Sequence, residues 1–126
     1  MTIQRTNVPE LPAPLGPYVH AVRHGDTLYL SGLTAHGGDA QDGPIEEQAR
    51  EIFRRIGLIA SAHGTGLENL LKVTAFVTEM DRVDPLRAAL FDVYGDNLPA
   101  SSLVRVAGLF ADGLRIEVEA VLAVDG

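Results

Sequence analysis

The spacing of hydrophobic positions changes period along the chain, and each change marks an element. From Ile45 to His63 the residues Ile45, Ala49, Ile52, Phe53, Ile56 and Ala60 recur every three or four positions. That spacing predicts a helix with one apolar stripe. Glu46, Glu47, Arg50, Glu51, Arg54 and Arg55 are placed on its other side, and Gly64 and Gly66 are stop signals. A second helix is expected from Asp84-Pro85, read as an N-cap followed by proline at the first helical position. Its stripe is Leu86, Leu90 and Val93, and Gly95 ends it.

Elsewhere the period is two or the run is short and β-rich. A first strand is expected over Thr2 to Thr6, followed by a segment broken by Pro9, Pro12, Pro14 and Pro17. Tyr18 to Arg23 and Thr27 to Leu33 read as strands joined by the hairpin connection His24-Gly25-Asp26. Thr34 to Pro44, rich in Gly and Asp, reads as an exposed loop, and Lys72 to Thr78 as a further strand. In the last two strands Ser102, Val104 and Val106 alternate with Ser101, Leu103 and Arg105. Leu114, Ile116, Val118, Ala120 and Leu122 alternate with Arg115, Glu117, Glu119, Val121 and Ala123. Each strand thus has an aliphatic face, which the helices cover, and a mixed one. Two helices cover only one face of such a sheet. The other, expected to carry Leu103 and Val121 beside charged groups, meets water or another subunit, which predicts an α+β oligomer.

The chain has 126 residues, 46% of them hydrophobic, enough for the core of one domain spanning 1–126. Its formal net charge is -7, with ten Lys and Arg and no basic cluster, which argues against nucleic-acid binding. Without cysteine, disulfides and thiol chemistry are excluded. No run approaches the roughly 18 apolar residues of a membrane span, and Met1 to Pro14 does not read as a signal peptide. A cytoplasmic protein is expected.

Familiar catalytic motifs are missing. His20, His24, His36 and His63 have no zinc-type spacing and read as loop or solvated residues, so no metal site is expected. His36-Gly37-Gly38 is a turn, not a phosphate loop. What remains is the mixed face of the C-terminal strands, with Glu117, Glu119 and Arg115, and with Arg105 on what reads as the neighbouring strand. The ordinary reading is a cross-strand ion pair. A carboxylate buried at a subunit seam is costly unless paired or used, which makes Glu117 an acid/base candidate.

Several segments together resemble the YjgF/RidA family. They are Gly16-Pro17-Tyr18-Val19-His20-Ala21-Val22, Leu30-Ser31-Gly32, Ile45-Glu46-Glu47-Gln48-Ala49-Arg50 and Lys72-Val73-Thr74-Ala75-Phe76-Val77. Pro99-Ala100-Ser101-Ser102-Leu103-Val104 and Ile116-Glu117-Val118-Glu119-Ala120 complete the set. The resemblance implies a chorismate-mutase-like fold, a six-stranded mixed sheet with two helices on one face. It also implies a homotrimer with small-molecule clefts between subunits. The activity it implies is hydrolysis of reactive enamines and imines such as 2-aminoacrylate, with no metal or organic cofactor.

The same resemblance assigns site residues. Tyr18, Ser31 and Glu117 match positions used around the cleft, Glu117 as the group that moves a proton, with Tyr18 beside it. The arginine that clamps the substrate carboxylate in the deaminases falls on Ser101, which supplies a hydrogen bond but no charge. The family's cysteine falls on Leu103, its nearby glutamate on Arg105, and an asparagine that often borders the cleft on Arg87. Arg105 lies about 13 Å along the strand from Ser101, so Arg87 is the favoured replacement clamp. Two functions follow from these departures. One is a deaminase with weak or altered 2-aminoacrylate activity. The other is a non-catalytic trimer that binds a small metabolite.

Overall fold

The computed structural model describes residues 1–125. Six strands form one sheet: β1 (Ile3–Thr6), β2 (Ala21–His24), β3 (Thr27–Leu33), β4 (Leu70–Val77), β5 (Ala100–Arg105) and β6 (Ile116–Ala123). Two helices, α1 (Ile45–Ala62) and α2 (Val83–Tyr94), follow β3 and β4. The strand order is β1-β2-β3-β6-β4-β5, with β4 and β5 parallel and every other pair antiparallel. This is the expected six-stranded mixed sheet with two helices.

Alternation along β6 builds the core. Ile116, Val118, Ala120 and Leu122 are buried, together with Leu28 and Leu30 of β3 and Val73, Ala75 and Val77 of β4. They pack against the stripe of α1, where Ile45, Ala49, Ile52, Phe53, Ile56 and Ala60 are all buried. Burying a large aliphatic side chain contributes about 1.5–3 kcal/mol, so this layer dominates stability. Gly25, at φ 64°, supplies the left-handed residue that turns β2 into β3 across the paired His24 and Thr27.

The structure corrects the sequence reading at several points. The second strand is Ala21–His24, not Tyr18 to Arg23. The His20 amide is taken by Asn7 Oδ1 at 3.0 Å and its ring is held between Val8 N and Pro12 O, so residues 18–20 belong to the N-terminal lead-in rather than to the ladder. Helix α2 begins at Val83 with Arg82 as its cap, and Asp84 makes no capping bond. Pro85 is its third residue, a position whose missing N–H also has no intrahelical partner.

The largest correction concerns the C-terminal strands. They are not a hairpin, because β4 lies between β5 and β6. Leu103 pairs with Ala75 and Arg105 with Val77, on the helix-side face, whereas Glu117 pairs with Phe76 and Val121 with Lys72 on the opposite face. Arg105 therefore cannot pair with Glu117, and Leu103 does not share a face with Val121. Strand β5 has no buried side at all: its six residues are exposed, so its aliphatic positions lack helix cover. Finally, Arg55 is not on the solvent side of α1 but buried, as is Gln48.

Candidate functional site

Where β3 meets β6, the pairing slips. Leu30 faces Ala120 and Leu33 faces Val118, so Ser31 and Gly32 together oppose the single residue Glu119. Such a bulge re-aims side chains, and here it turns Ser31 and Gly32 toward a cavity of about 570 Å³. Glu117 of β6 enters the same cavity. The lead-in segment Leu11 to Gly16, Tyr18, His36 and Phe110 close it from the sides.

Glu117 depends on the glycine beside it. A Cβ at position 32 would lie 2.5 Å from Glu117 Oε2, so only glycine lets the carboxylate rest against the β3 backbone. Burial raises its pKa above the usual carboxylate range, and the Glu119 charge on the same strand face adds to the effect. A carboxyl that holds its proton more tightly than an ordinary one is the stronger base of the two when ionised, which suits it to proton transfer.

The neighbouring hydroxyls differ in what they offer. Ser31 Oγ donates to Val19 O at 2.6 Å, which commits its proton and leaves lone pairs for a ligand. Tyr18 Oη accepts a long bond from Leu15 N at 3.4 Å, and its own O–H has no acceptor among the described residues. Tyr18 is 48% exposed at the cavity mouth, where Phe110, 61% exposed, also stands. Phe110 meets the His36 ring edge-on at 5.1 Å between centroids. His20 accepts from Val8 N at Nδ1 and donates from Nε2 to Pro12 O at 3.0 Å, which selects one neutral tautomer and pins the lead-in segment as a wall.

Of the residues singled out in the sequence, Tyr18, Ser31 and Glu117 come together here. Ser101, Leu103 and Arg105 lie on exposed β5, outside this cavity's walls within one chain. Arg87 stands exposed on α2, 3.7 Å from Asp84 in its own first turn. Sequence reasoning missed Arg55, His36 and Phe110. His36 and Phe110 lie in loops where no periodicity points inward. Arg55 follows Arg54 directly, and a long side chain carries it from the flank of the helix into the protein. Among the described residues no three His, Asp or Glu groups are arranged to hold a metal ion, and no helix is long and apolar enough to cross a membrane.

Comparison with known proteins gives a consistent family. The profile of the endoribonuclease L-PSP family matches residues 9–124. The 2-iminobutanoate/2-iminopropanoate deaminase of Mus musculus is 32% identical over 118 residues, covering 91% of this chain and 86% of that protein. The deaminase of the same name from Dermatophagoides farinae is 28% identical and covers 94% of each. Among solved structures, a protein of the conserved Rid family from Yersinia pestis superposes with a TM-score of 0.88 at 26% identity. It covers 98% of this chain and all (100%) of its own. A YjgF/YER057c/UK114 family member from Mycobacterium tuberculosis gives 0.81 at 26% identity, with the same coverage.

Proposed function

The chain belongs to the endoribonuclease L-PSP (YjgF/RidA) family, and from that premise we propose that it hydrolyses small imines or enamines derived from amino acids, releasing ammonia and a 2-keto acid. The observation that carries the reading is the convergence of Tyr18, Ser31 and a Glu117 of raised proton affinity on one cavity. The names of the mouse and mite relatives supply the substrate class.

The reaction asks little of a protein. An enamine takes a proton at its terminal carbon and becomes an imine. Water then adds to the imine carbon, and the carbinolamine expels ammonia as its carbonyl forms. Glu117 takes the proton from the attacking water and returns it to the departing nitrogen, the work of one carboxyl with a pKa moved toward neutrality. Ser31 Oγ, with free lone pairs, accepts from the substrate N–H. Tyr18 Oη donates to the developing hydroxyl. The barrier falls by positioning and proton transfer, and neither a metal nor an organic cofactor takes part.

The working unit is a homotrimer in this proposal, with β5 of one subunit facing the cavity of the next. Exposed edge strands call for cover, and β5 is exposed on both faces. Ser101 then stands where arginine-bearing relatives clamp the carboxylate, so activity on 2-aminoacrylate is weak or altered. The substitution Ser101→Arg is expected to raise it.

The test is keto-acid release from freshly generated 2-iminobutanoate, with Glu117→Gln as control. Catalysed release in the wild type and background release in the variant are expected. That the residue at the clamp position carries no charge favours one second reading, a trimer that binds a small metabolite without turning it over. Stabilisation by a ligand with no turnover of any imine selects it.

A further inference from the structure

Polar groups make up only part of the wall around Glu117. Phe110 and Leu15 line the same cavity, and both are largely exposed, at 61% and 67%. Isolated exposed apolar side chains are ordinary, but large ones gathered on one concave surface mark a place where an apolar group binds. Phe110 is also held in position. Its ring meets His36 edge-on, with centroids 5.1 Å apart and planes at 62°, an arrangement that aromatic rings favour. The His36 backbone is fixed on both sides: its N–H donates to Thr34 Oγ1 at 3.2 Å, and its carbonyl accepts from Arg55 Nη1 at 3.0 Å. Buried Arg55 holds Thr34 O as well, so the loop after β3 is tied to α1 at this point. His36 Nδ1 is buried with no partner, so that side of the ring packs without hydrogen bonding.

Beyond Glu117, Ser31 and Tyr18, the polar side chains of the wall are already engaged. Both His20 ring nitrogens are bonded within the protein, and Thr34 Oγ1 accepts from His36 N. Arg55 is bonded to Glu51, Thr34 and His36. What is left for a ligand to cover is apolar, with Leu15, Leu33 and Phe110 as its large members. Leu15 belongs to a lead-in segment whose Pro12, Pro14 and Pro17 restrict the backbone, so this surface is pre-formed. The cavity, about 570 Å³, is of the size that takes drug-sized ligands, roughly 300–1,000 Å³. An imino acid with an ethyl side chain, reacting at Glu117, occupies a small part of it.

We infer that Phe110, with Leu15 and Leu33, forms a side-chain subsite that selects 2-imino monocarboxylates bearing a branched or aromatic apolar group over those with a short alkyl group. This rests on reading the cavity as an imino-acid site, and it names the substrate class and the residue that sets it. The selection is hydrophobic in origin. A larger side chain takes more of its own surface, and more of Phe110 and Leu15, out of water. A short one leaves those surfaces wet.

The experiment is a calorimetric titration of the full chain with 4-methyl-2-oxopentanoate and with 2-oxobutanoate, 2-oxo acids of the kind the proposed hydrolysis releases and does not consume. The wild type is expected to bind the larger acid about tenfold more tightly, the value of two further buried carbons. In Phe110→Ala the larger acid is expected to lose several-fold more affinity than the smaller. Phe110→Leu, which keeps most of the apolar area, is expected to regain most of the preference. No preference in the wild type, a preference undiminished in Phe110→Ala, equal loss of both acids, or no recovery in Phe110→Leu each overturns the inference. So does a Phe110→Ala particle that sediments differently from the wild type, since Phe110 would then belong to a subunit contact. A Phe110-dependent preference without turnover of either corresponding imine would sink the deaminase reading and leave the subsite standing. Turnover of 2-iminobutanoate with no preference between the acids would do the reverse.

Discussion

Glu117 shows how one side chain links stability to chemistry. Its folded-state pKa is raised by burial and by Glu119, so folding favours the protonated form. The associated stability is fully present below the ordinary carboxyl range and is lost as pH rises through the raised folded value. Replacing Glu117 with Gln, which cannot ionise, is therefore expected to stabilise the protein near pH 7 relative to the wild type. The advantage is expected to shrink as pH falls through the raised folded value and to be gone below about 4.5, the ordinary value. Urea denaturation at several pH values measures this, and a gain that is constant with pH contradicts the assigned shift. Glu51 runs the opposite way. Its guanidinium bonds lower its pKa to about 2, so its contribution is present above the ordinary carboxyl range and fades as pH falls toward that value. Two acids thus titrate with opposite signs, and only the first belongs to the cavity.

Gln48 acts at the scale of elements, holding two loops to one helix. From a fully buried position on α1 its Nε2 lies 2.8 Å from Gln41 O, 3.0 Å from Gly43 O and 2.8 Å from Gly113 O, while Oε1 accepts from Arg115 N at 2.8 Å. It ties the loop after β3 and the loop before β6 to one helix, which sets where β6 starts and so where Glu117 stands. Gln48→Ala strands several buried groups at about 1–3 kcal/mol each before relaxation. A loss of roughly 3 kcal/mol in denaturation is expected, and a change below about 0.5 kcal/mol, the range of ordinary surface substitutions, contradicts the role. These same residues mark the limit of what the sequence discloses. The α1 stripe, the β6 alternation and the Thr27–Leu33 strand were legible because packing enforces a period. The insertion of β4 between β5 and β6 was not, because alternation within a strand carries no information about its neighbour. Nor were the inward turns of Gln48 and Arg55, polar residues that enter the protein for hydrogen bonds rather than apolar burial. For the candidate site, Tyr18, Ser31 and Glu117 were readable through family resemblance, and physical pattern alone pointed only to Glu117.

The whole molecule leaves one sheet face without helices. Tyr29 of β3 and Val104 of β5 are substantially exposed there, and Val121 of β6 pairs with Tyr29 on the same face. In the proposed trimer this face is buried. Sedimentation equilibrium is expected to give three chains per particle, and Tyr29→Asp, which places a charge on that face, is expected to shift the particle toward monomer. A wild-type monomer at micromolar concentration contradicts the trimer and with it any role for Ser101 or Leu103 in a neighbour's cavity. The proposed activity stands on the chemistry of one carboxyl, Glu117, in one cavity. Keto-acid release from 2-iminobutanoate, followed in parallel for the wild type and Glu117→Gln, tests it most directly. Catalysed release that falls to the uncatalysed background in the variant is the predicted result. Release at background in both proteins, or undiminished in Glu117→Gln, contradicts it.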